Sequence, residues 1–357
     1  MERVTASGPP LIVTDDPDLL EQLLRLCAAS SVTPDVIGDP AAARRTWWQA
    51  PCVLVGEDRA DEVARLDLGR RPDVVLVAAG PESTQVWRRG VAIRADHVAV
   101  LPQAQAWLVE RLTDSIDGSA GVATVLGVIG ARGGAGASTL AAALASSAAR
   151  RGGRPLLVDA DPLGGGIELV LGCEGVPGLR WPEVASTQGR VSAVALRAAL
   201  PEVDDVAVLS WDRGDTTTVD PSTMRAMLAA GQRGAGLVVI DLPRRLDDPA
   251  VDAVTMTDTL LLVCPTDVRA AAAAGRLLGG LRTLCADLRL VVRETRGSDV
   301  TADALADTLR LPLAATIPTT RGLDRAVNEG LGPVARGRLA SRCSRLLDAL
   351  SVPGLDQ

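Results

Sequence analysis

The sequence predicts an α/β protein of two domains, each built on a doubly wound, mostly parallel sheet. Three observations predict it. Short apolar runs alternate with stretches of helical period, the pattern of strand–helix units. A small, polar, glycine-bearing stretch at 116–123 interrupts that pattern as a linker does. Downstream, GVIGARGGAGASTLAAALA at 127–145 carries an apolar strand through a glycine loop directly into a helix. A chain of 357 residues can bury a core on each side of the linker, which sets the domains at 1–115 and 124–357.

In the first domain the candidate strands are Leu11–Thr14, Cys52–Val55, Asp73–Val77 and His97–Leu101. Helical patterns lie between them at Pro17–Ala29 and Ser83–Arg89, and Trp107–Ile116 closes the domain. In the second domain Val125–Ile129 reads as a buried strand, Gly130–Ala137 as the loop and Ser138–Arg151 as a helix rich in Ala and Leu. Pro155–Val158, Leu237–Ile240, Leu261–Val263 and Leu288–Val292 read as further strands. No repeat occurs at solenoid periods.

Composition excludes several classes of function. A net charge of −7 gives no global basic field for nucleic acid. The chain has no Lys, Phe or Tyr, and Asn328 is its one Asn. These four types share AT-rich codons, so a GC-rich genome accounts for the pattern without any function. Six cysteines lie far apart with no CxxC pair, which favours reduced thiols over disulfides or zinc. With His97 the only histidine, His-based metal sites and triads are nearly excluded. MERVTASGPP lacks the form of a signal peptide, and no apolar stretch approaches the length of a membrane span. These features point to a cytoplasmic protein, with peripheral association at a membrane or septum as the variant.

The strand–loop–helix at 125–151 aims several backbone N–H groups and a helix N-terminus at one spot, which is an anion site. Gly133, Gly134 and Gly136 let the backbone approach a phosphate with no Cβ in the way. GARGGAG also fits the loop of short-chain dehydrogenases. That family is similar only in the loop: it works with a Tyr–Lys pair, and this chain has neither residue.

The loop and four later landmarks resemble the MinD/ParA family of P-loop positioning ATPases. Arg132-Gly133-Gly134-Ala135-Gly136-Ala137-Ser138-Thr139 is similar to that family's deviant Walker A loop, KGGxGK[ST]. Asp159-Ala160-Asp161-Pro162 resembles its VDxDP motif, and Asp241-Leu242-Pro243 the end of its Walker B strand. Cys264-Pro265-Thr266 and Ile317-Pro318, with Ala326 and Gly330 beyond, resemble its later strand ends. The resemblance implies ATP or ADP with Mg²⁺ at residues 132–139. It implies that Ser138, Asp159 and Asp241 serve the metal directly or through water, and that Asp161 positions the attacking water in an active enzyme.

The first domain resembles a response-regulator receiver, a flavodoxin-like fold, and Asp15-Asp16 match that family's acidic pair. The other positions depart from it. Glu57 and Asp58 are the nearest candidates for a phosphoacceptor, Ala78 and Ala79 replace a Ser or Thr, and Leu101 replaces the Lys. Phosphoryl transfer needs that cation and that acceptor, so the domain reads as a receiver-shaped scaffold. The pairing of such a domain with a MinD-like one resembles the CpaE-like branch. In that branch Ala often precedes the Ser, and an actinobacterial subgroup is linked to septum-site determination.

Two lysines of the family loop are missing. Arg132 stands for the one that reaches across a dimer, and it keeps the charge. Ala137 stands for the one that contacts the β- and γ-phosphates, and codon bias does not explain it. Losing a charge-assisted phosphate contact costs on the order of 1.5–3 kcal/mol of binding. Arg293, after the strand Leu288–Val292, stands where the family places an Asn that reads adenine. The sequence therefore predicts a spatial regulator of the septum or a Tad/Flp pilus, with a degenerate nucleotide site used as a binding switch. The alternative is an active Mg-dependent ATPase.

The resemblance further implies protein partners in the division or pilus machinery and a nucleotide-linked homodimer. A C-terminal helix with Leu339, Cys343, Leu346, Leu347 and Leu350 on one face, beside Arg336, Arg338, Arg342 and Arg345, has the form of a membrane-surface helix. It lacks aromatic anchors, and packing on its own sheet is the favoured reading. DNA contact through Arg150-Arg151 and Arg244-Arg245 is disfavoured, because arginine pairs on an acidic protein usually form a solvated face.

Overall fold

The computed structural model describes residues 8–30, 32–81, 83–116, 123–185, 190–214, 218–333, 337–353 and 355. Most of the expected linker (117–122) and Arg336 lie outside them. The chain divides into two compact units, Met1–Ser119 and Ala120–Gln357.

The N-terminal unit contains β1 (Leu11–Val13), β2 (Asp35–Ile37), β3 (Val53–Gly56), β4 (Val74–Ala79) and β5 (His97–Leu101). Its helices are α1 (Pro17–Ala29), α2 (Ala60–Leu66), α3 (Thr84–Ala92) and α4 (Gln105–Ile116). The sheet runs β2-β1-β3-β4-β5, parallel throughout. β3 and β4 are continuous apolar runs because helices cover both faces of the sheet. β2 escapes the sequence reading because it is a three-residue edge strand with no buried residue.

The receiver-like acidic corner is occupied by the chain itself. Asp16 caps α1, accepting from the Asp18 and Leu19 amides. Asp58 accepts from the Thr14 hydroxyl at 2.7 Å and from the Asp15 amide at 2.8 Å. The Arg59 guanidinium closes on Asp15 at 2.7 Å, and Arg89 holds Glu57 at 2.7 Å. Both candidate acceptors and both members of the acidic pair are thus already engaged.

The C-terminal unit holds β6 (Thr124–Gly130), β7 (Leu156–Asp159), β8 (Glu202–Val203), β9 (Val206–Leu209), β10 (Leu237–Leu242), β11 (Thr259–Pro265), β12 (Leu288–Arg293) and β13 (Leu313–Ile317). Its helices are α5 (Ala137–Ala149), α6 (Ile167–Leu171), α7 (Trp181–Val184), α8 (Ala193–Ala199), α9 (Pro221–Gly234), α10 (Asp248–Thr255), α11 (Val268–Leu284), α12 (Ala302–Leu309), α13 (Leu323–Asn328) and α14 (Arg338–Ala349). The sheet order is β13-β12-β11-β6-β10-β7-β9-β8, and only β8 pairs antiparallel. β6 lies at the centre between β11 and β10, so the loop after it opens at the carboxyl edge of the sheet, where such folds bind ligands.

Nine of the thirteen residues of α5 are Ala or Leu, and nine of its residues are buried. α14 packs against it, burying Leu339, Cys343, Leu346 and Leu347. The apolar face that could have met a membrane is spent on the core, and each fully buried Leu contributes about 1.5–3 kcal/mol there. Among the described residues no helix is long and apolar enough to cross a membrane. All six cysteines are buried and unpaired. Arg150 and Arg151 are engaged as well, with Ser147 and with Asp348 respectively.

Candidate nucleotide site

The loop forms as its glycines require. Gly134 and Gly136 sit at φ +69° and +99°, which L side chains rarely adopt, and Gly136 caps α5. Ala135 turns its methyl into the core, so it offers only its backbone to a ligand. Arg132, Ala137, Ser138 and Thr139 are half-buried, and Gly133 and Gly134 are exposed. α5 begins at Ala137 rather than Ser138, and the N–H groups of its first turn have no partner within the helix.

Two carboxylates converge below the loop because β10 and β7 are neighbours in register, with Asp241 opposite Asp159. Asp159 is 1% exposed and Asp241 5% exposed. Burial pushes Asp241 up to about 8, the Asp159 charge adds to the push, and a hydrogen bond from Ser138 pulls it partly back. Burial likewise raises Asp159 to about 6, opposed by the amides of Ile167 and Asp161 at 2.9 and 3.0 Å. Asp161 is half-buried and accepts from the Leu163 amide at 3.2 Å. Its charge contributes to raising both neighbours.

No ion pair joins Asp159 or Asp241 to an arginine among the described residues. Nor does any group of three or more carboxylate, His or Cys side chains form a ready-made metal cage there. Ser138, Asp241 and Asp159 make an all-oxygen donor set. That set fits Mg²⁺, which keeps waters and leans on the phosphates of its ligand rather than on a protein cage.

Three arginines surround the loop. Arg132 places Nη2 and Nε at 2.8 and 3.2 Å from one carboxylate oxygen of Asp267, and its Nη1 donates to the Gly133 carbonyl. Arg244, just past β10, lies 3.8 Å from where a Gly133 Cβ would stand. Arg293, the last residue of β12, reaches back over the loop and donates from Nη2 to the Gly134 carbonyl at 3.1 Å.

Sequence reasoning missed several supports of this site. Ser210 donates to Asp159 at 3.2 Å, and the Trp181 indole donates to the Asp159 carbonyl at 2.7 Å. Both come from segments not read as elements. Asp267 was findable: it caps α11, accepting from the Ala270 amide, and an Asp one residue before a helical run is a cap signal.

Residues 13–122 match the family model described as the Rv3660c-like, CheY-like N-terminal domain. The chain is 38% identical over 346 residues to the uncharacterized protein Rv3660c of Mycobacterium tuberculosis, covering 95% of this chain and 97% of that one. It is similar in fold to the ParA family ATPase of Chlorobium tepidum TLS, with TM-score 0.57 and 16% identity over 64% of this chain and 98% of the other. It is similar also to the septum site-determining protein MinD of Pyrococcus horikoshii OT3, solved with Mg-ADP. There the TM-score is 0.51, with 18% identity over 65% of this chain and 96% of the other.

Proposed function

We propose a function from one premise: this chain belongs to the Rv3660c-like family, and it joins a CheY-like domain to a MinD/ParA-like P-loop domain. It acts as a spatial regulator, in septum-site determination or in placing a Tad/Flp pilus, through a nucleotide-linked dimer that binds protein partners. Nucleotide binding shifts its conformational population and does not drive rapid turnover.

One observation carries this reading. Asp241 and Asp159 are buried side by side, raised to about 8 and about 6, with Ser138 at hand and no arginine among the described residues ion-paired to them. Bound there, Mg²⁺ would neutralise phosphate charge and relieve the repulsion between the two carboxylates. The chain supplies the rest of a binding site: loop amides and the α5 N-terminus for phosphate oxygens, and Ser138, Asp159 and Asp241 for the metal side. For turnover it supplies little. Ala137 ends at a methyl group, and Arg132 is held by Asp267, so no loop side chain stands ready to stabilise charge developing on a transferred phosphoryl group. The likeness to MinD supports the septum reading.

Titration calorimetry with Mg-ATP and Mg-ADP tests the reading. The wild type should bind, Asp159→Ala should bind at least about tenfold more weakly, and phosphate release should stay at background. Sedimentation should show dimers with Mg-ATP. Steady hydrolysis abolished by Asp161→Ala would replace the switch with an ATPase, and no binding by the wild type would remove the nucleotide from its function.

A further inference from the structure

We propose that Arg293 supplies, from the end of β12, the phosphate-binding cation that the loop lost at Ala137, and that the site consequently takes nucleoside di- and triphosphates without regard to base. The proposal rests on the nucleotide reading above and goes beyond it by naming the residue and the ligand class.

The three arginines near the loop differ in what they are already doing. Arg132 is committed, because its Nε and Nη2 both bond the Asp267 carboxylate. Turning to a phosphate would break two charge-assisted bonds, each roughly twice as strong as a neutral one. Arg244 is exposed, on the turn after β10. Arg293 is different. Its backbone is fixed in the sheet between Pro265 of β11 and Ile317 of β13. Its Cδ passes 3.6 Å from the position of a Gly136 Cβ, so the side chain lies along the loop.

Along that path Arg293 is under-used. Nη2 makes one neutral bond, to the Gly134 carbonyl, while Nε is buried with no hydrogen-bond partner. A guanidinium offers five N–H donors, and its Nε–Nη2 edge matches two oxygens of a phosphate. Exchanging one carbonyl bond for a bidentate phosphate contact satisfies the orphaned Nε and adds charge assistance. An alanine at 137 is compatible with this arrangement because the cation arrives from β12, two strands away from β6, and passes beside Gly136.

Base selection follows from the same residue. An arginine carries donors only, so it cannot present the paired donor and acceptor with which an amide side chain recognises adenine.

Calorimetric titration of the full chain with Mg-ATP, Mg-GTP and Mg-tripolyphosphate tests this, with thermal melts confirming that each variant folds. Arg293→Ala should weaken ATP and GTP in parallel by about tenfold or more. Arg293→Lys, which keeps charge but loses the fork, should fall between it and the wild type. Ala137→Lys on the Arg293→Ala background should restore binding. The wild type should bind ATP and GTP within about fivefold, less than a base-reading hydrogen-bond pair supplies. Wild-type binding that survives Arg293→Ala, or a strong preference for ATP over GTP, overturns this assignment and leaves the switch intact. A wild type that binds nothing overturns both.

Discussion

Replacing Asp241 by Asn should stabilise the protein in the absence of metal, although Asp241 is central to the proposed site. The carboxylate is 5% exposed and stands beside Asp159. Raising it from 3.8 to about 8 corresponds, at about 1.4 kcal/mol per pH unit, to a ceiling of roughly 5–6 kcal/mol. Asp159 shares that penalty and remains in the variant, and Asn must still be hydrogen-bonded, so the net gain is on the order of 1–3 kcal/mol. For a domain of this size that raises the melting temperature by roughly 2–10 °C. The pH dependence has a definite sign. Below the ordinary 3.8 both folded and unfolded chains hold the proton, and the group costs nothing. Between there and about 8 only the folded chain holds it, so its contribution makes the protein less stable as pH rises, down to a floor above about 8. Scanning calorimetry with chelator should therefore show the advantage of Asp241→Asn large near about pH 8.5 and mostly gone near about pH 5. Added Mg-ADP should raise the melting temperature of the wild type and not of the variant. A variant less stable than wild type at the higher pH, or an advantage that does not shrink on acidification, would refute burial of charge as the source of the strain.

Two further outcomes follow from the rest of the fold. Incubation with acetyl phosphate and Mg²⁺ should leave no phosphoryl adduct by intact-mass spectrometry, because Asp58 is bonded by Thr14 and Asp15, and Glu57 by Arg89; an adduct on Asp58 would reinstate receiver chemistry. Gly172→Ala should cost about 2–4 kcal/mol, since Gly172 caps α6 at φ +68° and an added Cβ would overlap the Gly330 carbonyl. Chemical denaturation measures it, and a change below about 1 kcal/mol would mean that the 330 turn moves aside freely.

What the sequence determined by itself is what short-range chemistry encodes. The run from Val125 to Thr139 announces strand, loop and helix because apolar continuity, glycine and helix-forming alanines act within a few residues of one another. Asp159 and Asp241 were legible for the same reason: each ends an apolar run, and a polar residue at the end of a buried strand sits at the sheet's carboxyl edge. Tertiary structure alone decided which of these groups meet and which cations remain free. Arg132 and Asp267 are 135 residues apart, and Arg293 and Gly134 are 159 apart. No periodicity links them, and they touch because β11 takes its place beside β6 and β12 beside β11 in the strand order. Ser210 reaches Asp159 only because β9 lies next to β7. Charge in the sequence says that a cation is present; only the packing of distant strands says whose carboxylate or carbonyl holds it, and hence whether it remains for a ligand.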